Sequence, residues 1–136
     1  MEVIHARCAG LDVHKKTVVA CVRVAAGTGV RHEVRTFGTT TAELETLAGW
    51  LHAEGCTHAV LESTGVYWKP VWAVLASDAL MLVLAPAAAV RNMPGRKSDV
   101  TDARWLADLL AHGLVRPSFV LGSSAAMAIF PFSIIA

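Results

Sequence analysis

Residues 7–37 read RCAGLDVHKKTVVACVRVAAGTGVRHEVRTF, and the elements encoded in this stretch decide the fold. Between Arg7 and Val24 the chain is apolar and rich in β-branched residues, interrupted only by GLDVHKK at residues 10–16. The pattern predicts two strands joined by a tight turn near Lys15 and Lys16, because β-branched side chains suit a pleated, half-buried surface. GTG at residues 27–29 separates the second strand from a third, Val30 to Phe37, in which Val30, His32, Val34 and Thr36 share one face by a period of two. Three antiparallel strands in a meander follow.

Downstream the period changes. Leu44, Leu47 and Leu51 are spaced for one helix face, Thr40 and Glu43 form a capping-box pattern at its start, and Gly55 ends it. His58 to Leu61 is a short apolar run suited to a buried strand; ESTG and a second helix follow, with Pro70 tolerable only in an early turn. Ala79 to Ala85 supplies a fifth strand, and Pro86 to Pro94 a basic-tipped connector. NMPGRKS offers turn chemistry before a last helix, Val100 to His112, which Gly113 closes. The order βββαβαβα, without internal repeat, describes an α/β mixed sheet covered by helices, the order of the ribonuclease H-like fold.

The 136 residues fit one domain, and 54% hydrophobic residues supply its core. A formal charge of +1 gives no global basic field, so any nucleic-acid contact must come from a local patch. Cys8, Cys21 and Cys56 lack zinc or redox spacing and fit buried thiols in a reducing cytoplasm. The N-terminus carries no export signal. Residues 121–136, LGSSAAMAIFPFSIIA, hold no charge and read as an apolar tail of different origin after a domain spanning 1–120. Its apolar part is too short for a membrane span of about 20 residues, and Pro131 interrupts it.

Four carboxylates stand where this order of elements can gather them: Asp12 in the first strand, Glu62 at the end of another, and Asp99 with Asp102 opening the last helix. Hard divalent cations such as Mg²⁺ take oxygen ligands, and a two-metal site needs several carboxylates around ions about 4 Å apart. Each acid also has a plainer reading. Asp12 suits a turn, Glu62 suits solvent, and Asp99 as N-cap with Asp102 as N3 would stabilise a helix start by about 1 kcal/mol. At about 100° per residue, Asp99 and Asp102 head the stripe of Ala103, Leu106 and Leu110, whereas Asp108 falls opposite and is expected in solvent. Arg91, Arg96 and Lys97 lie on the connector beside the proposed site, as phosphate contacts or as solvated surface residues. Tyr67, Trp68 and Trp72 suit base stacking, but helical spacing favours the core. His14, two residues past Asp12, reads as structural, and Ser63 lacks the partners of a hydrolase triad.

GLDVHKKTVVACV, LESTGVYWKPVW and PGRKSDVTDARWLADLLAHGLVRPSFV resemble, in order and spacing, the N-terminal domain of DEDD-type transposases of the insertion-sequence 110 family, relatives of the Piv invertase. The resemblance covers roughly residues 7–120 and implies a Holliday-junction resolvase-like fold. It also implies that Asp12, Glu62, Asp99 and Asp102 are catalytic and hold two Mg²⁺ or Mn²⁺ ions for DNA strand cleavage and transfer. Implied partners are DNA, a structured guide RNA and further copies of the chain, and no membrane. The family's second domain, carrying a serine nucleophile, has no match here, so the expected form is a truncated transposase, active or reduced to a noncatalytic nucleic-acid-binding remnant. An actin-like nucleotide-binding protein, which also opens with a strand, an aspartate and a hairpin, would need glycine-rich phosphate loops later in the chain.

Overall fold

The structure, a computed structural model, describes residues 3–63, 65–77, 79–86, 94–96, 100–117 and 132–134. Strands β1 (Arg7–Val13), β2 (Thr17–Ala26) and β3 (Gly29–Gly38) form the expected meander. The His14 amide donates to the Thr17 carbonyl across the first turn at 2.8 Å, and Gly27, at φ 59°, makes the second. Helix α1 (Thr41–Ala53), strand β4 (His58–Ser63), helix α2 (Trp68–Leu75), strand β5 (Met81–Ala85) and helix α3 (Asp102–Ala111) follow. Among the described residues the predicted βββαβαβα order holds to Ala111. Two short strands, β6 (Val115–Pro117) and β7 (Phe132–Ile134), then pair antiparallel. Most of the expected connector and of the uncharged tail lies outside the described residues.

The five long strands order as β3-β2-β1-β4-β5, antiparallel on the meander side and parallel where β4 and β5 join. Alternation sorts their side chains onto two faces. Ala9, Leu11, Val13, Ala59 and Leu61 point toward α1 and α2, meeting Leu44, Leu47, Leu51, Val71 and Leu75. Cys8 and Val60 point the other way, into a core with Leu106, Leu109 and Leu110 of α3. Burial of each such leucine stabilises the fold by about 1.5–3 kcal/mol.

Gly10, on the α3 side of β1, sets how closely that helix sits. A Cβ there would lie 2.2 Å from the Ala103 carbonyl oxygen and 2.6 Å from the Ala107 amide nitrogen. The strand is bare at this point so that helix backbone can rest on it.

The capping box of α1 is rearranged. Thr40 accepts from the Glu43 amide at 3.3 Å, but the Glu43 carboxylate reaches past the cap to the Gly38 amide at 2.8 Å. It thereby ties the helix to the end of β3. Pro70 falls in the first turn of α2, where its missing N–H costs nothing. Trp68 and Trp72 are buried edge to face, so the expectation of core packing holds for them, whereas Tyr67, expected on the same buried face as Val71 and Leu75, precedes the helix and is exposed. Among the described residues no helix is long and apolar enough to cross a membrane.

Candidate active site

Asp12 and Glu62 are the penultimate residues of β1 and β4, and the parallel register makes them direct neighbours. Adjacent strands lie about 4.8 Å apart, so paired side chains on one face stand abreast. Counting in twos from Gly10 puts Asp12 on the α3 face; counting from Val60 puts Glu62 there too. Both emerge at the carboxyl ends of their strands, where open α/β sheets place ligands.

Asp102 arrives from the opposite direction as the first residue of α3. Thr101 is the N-cap, its hydroxyl accepting from the Arg104 amide at 3.3 Å. This corrects the capping alternative of Asp99 as N-cap and Asp102 as N3. With the cap supplied by Thr101, the Asp102 carboxylate is released from that duty. It faces the strand ends, since Ala103 and Ala107 rest on Gly10 next door.

One carboxylate oxygen from each of Asp12, Glu62 and Asp102 lies within 4.8 Å of the others. Burial is graded: Glu62 is 5% exposed, and the Asp12 and Asp102 side chains 14% and 38%. One carboxylate is thus fixed deep in the fold and one faces solvent. Three like charges this close repel one another, and a cation is the natural partner. The donors are all hard oxygens, the set that suits Mg²⁺ or Mn²⁺ and disfavours thiolate-seeking metals. His14 Nε2 stands 3.0 Å from Asp12 Oδ2, and Arg96 Nη2 stands 2.6 Å from Asp102 Oδ1. Asp99, Arg91 and Lys97 lie outside the described residues, so three of the four predicted acids are seen together.

Asp108 overturns one expectation. Far from being solvated, it accepts from Arg23 Nε at 3.0 Å, and its Oδ1 stands 2.7 Å from His32 Nε2. Arg23 is only 5% exposed, and its Nη1 is buried without a hydrogen-bond partner. Buried residues of α3 include Ala103, Ala107 and Ala111 as well as its leucines, so a broad band of the helix faces the sheet. Small alanines let it sink until Asp108 meets β2 and β3. The reading of one apolar stripe missed this, and it missed Gly10, whose signal was a glycine two residues before a strand-borne aspartate.

The cysteines are free and buried, and burial pushes the Cys8 thiol up to about 12 and those of Cys21 and Cys56 to about 11. They stay protonated near neutrality and supply no thiolate nucleophile.

Comparison with known proteins places this geometry in context. The sequence profile of the insertion-sequence 110 type of DEDD transposase, described as "Transposase", matches residues 9–128. No curated protein matches the chain. Among solved structures it is similar to Thermus thermophilus RuvC at 17% identity and a TM-score of 0.50, over 74% of this chain and 90% of that one. That likeness shows the ribonuclease H-like fold.

Proposed function

The chain belongs to the insertion-sequence 110 family of DEDD transposases, and on that footing we propose that it is the metal-dependent domain that cuts and joins DNA in transposition. The observation that carries this reading is the meeting of Asp12, Glu62 and Asp102, from three separate elements, with ligand oxygens within 4.8 Å. Asp99, three residues before Asp102, is the proposed fourth acid on the strength of the family resemblance alone.

Two Mg²⁺ or Mn²⁺ ions bound there would polarise a scissile phosphate and stabilise the attacking and leaving oxygens. The chain's own residues prepare for this. Glu62 is held rigid by burial, and Asp12 is steadied by His14. Asp102 sits at a helix start, where the macrodipole favours its negative charge. Arg91, Arg96 and Lys97 would meet the DNA backbone from the connector, supplying the local positive charge that the overall composition lacks. A structured guide RNA and assembly of several copies are proposed from the resemblance.

The test is a calorimetric Mn²⁺ titration together with nicking of branched DNA. Asp12→Asn and Asp102→Ala should each weaken metal binding on the order of tenfold or more and abolish nicking. Glu45→Ala, on the exposed side of α1, should match the wild type in both. Metal affinity equal in all four proteins sinks the proposal. Metal-dependent DNA binding without nicking would favour a noncatalytic binding module.

A further inference from the structure

Resting on that reading, we propose that Arg96 is a displaceable counter-ion of the carboxylate cluster, which yields Asp102 to the divalent metal and then takes hold of a DNA phosphate. Its Nη2 approaches Asp102 Oδ1 at 2.6 Å and donates to the Val100 carbonyl at 2.7 Å, so one nitrogen bridges the acid and the backbone just before α3. Pro94 and Gly95, the latter at φ 96°, form the turn that delivers it. The Arg96 side chain is 26% exposed and that of Asp102 38%, so the pair sits at the rim of the cluster, open to exchange.

The chemistry of arginine makes this a handover. A guanidinium does not lose its proton at any ordinary pH, so Arg96 cannot be neutralised to make way for a metal. It and the metal draw on the charge of one carboxylate, so a cation at Asp102 weakens the hold of Arg96 on Oδ1. Once released, its planar fork matches a phosphate, with Val100 and the turn keeping it near the cluster. Metal binding and DNA binding are then coupled through one side chain, and each must strengthen the other by the same factor.

Arg96→Ala should bind Mn²⁺ about threefold more tightly than wild type in calorimetry without DNA, since a partly exposed competing ion pair is gone. In saturating Mn²⁺ the same variant should bind a short branched duplex more weakly, its log–log salt slope shallower by about 1. Arg96→Lys should restore part of the competition and part of the slope. Asp12→Asn run alongside separates the two ideas. If Asp12→Asn abolishes Mn²⁺ binding while Arg96→Ala leaves it unchanged or weaker, the handover is wrong and the metal site stands. If Asp12→Asn binds like wild type, both fall. An unchanged salt slope in Arg96→Ala overturns the phosphate half.

Discussion

A methyl group at residue 10 would collide with backbone, at 2.2 Å from the Ala103 oxygen, and backbone cannot rotate out of the way. Gly10→Ala must therefore lift the first turns of α3. Overpacking of this kind costs about 1–3 kcal/mol, and here it also draws Asp102 away from Asp12 and Glu62. We expect Mn²⁺ affinity to fall more than about tenfold although no proposed ligand has changed, a sensitivity shared by groups that orient metal ligands. Gly49→Ala, in α1 with nothing within 4 Å of the added carbon, should instead stabilise by roughly 0.5–1 kcal/mol. Asp108 makes the complementary case. Asp108→Ala leaves the Arg23 guanidinium buried without its carboxylate, and we expect a loss on the order of 2 kcal/mol in urea unfolding. That lies below the full penalty of a broken buried pair because the Asp108 side chain is 28% exposed. Arg23→Met should cost less, since it removes the buried charge and leaves Asp108 beside His32. Neither effect was legible from sequence. A strand glycine announces a bulge, a bend or a close approach with equal force, and only the helix laid across it decides which.

At the scale of elements, the sequence was most readable where one periodicity had one physical cause. The meander, α1 with its Thr40 cap, and the short buried run of β4 follow from alternation, capping and turn chemistry, and each is found within a few residues of its predicted bounds. Helix α3 shows where such reading stops. Its burial depends on how deep the helix sits, which is fixed by Gly10, far away in sequence. Asp12 and Glu62 were recognisable as candidates, but their adjacency depends on parallel register between β1 and β4, which no local pattern encodes. The segment before β1 carries a prediction of its own. The His5 ring stacks on His58 at the start of β4, centroids 3.8 Å apart, while the Ile4 and His5 amides both donate to the Ala111 carbonyl. Burial lowers both histidines from the usual 6.5, and the nearby His5 lowers His58 further. Depressed folded values mean that the unfolded chain takes up protons first. Stability is therefore full above about pH 7 and declines as pH falls through 6.5 toward the depressed values. Urea midpoints taken between pH 7.5 and 5 should fall, and His58→Gln should flatten the decline.

For the molecule as a whole, the site lies where the sheet divides. From β1 the chain turns one way into the antiparallel meander, and β4 enters on its other side, so two strand ends stand side by side. Two acids placed there, and a third brought in by the helix that closes the fold, concentrate negative charge at one end of the domain. To the extent that Arg96 on Asp102 and His14 beside Asp12 leave its charge uncompensated, such a site opposes its own folding and a bound cation would remove that cost, because like charges held within 4.8 Å repel more strongly than in the unfolded chain. The two halves of that statement predict opposite signs for one substitution. Without added metal and at low salt, Asp12→Asn should melt at a higher temperature than wild type, relieved of one charge. With Mn²⁺ the wild type should gain about 2.7 kcal/mol at a hundred times its dissociation constant, by mass action on the folded state, whereas Asp12→Asn should gain far less. The two melting curves should then exchange order as metal is added, in differential scanning fluorimetry across a Mn²⁺ series. If the wild type is the more stable protein at every concentration, with the gap unchanged, the carboxylates are held together by the fold for some reason other than binding a cation.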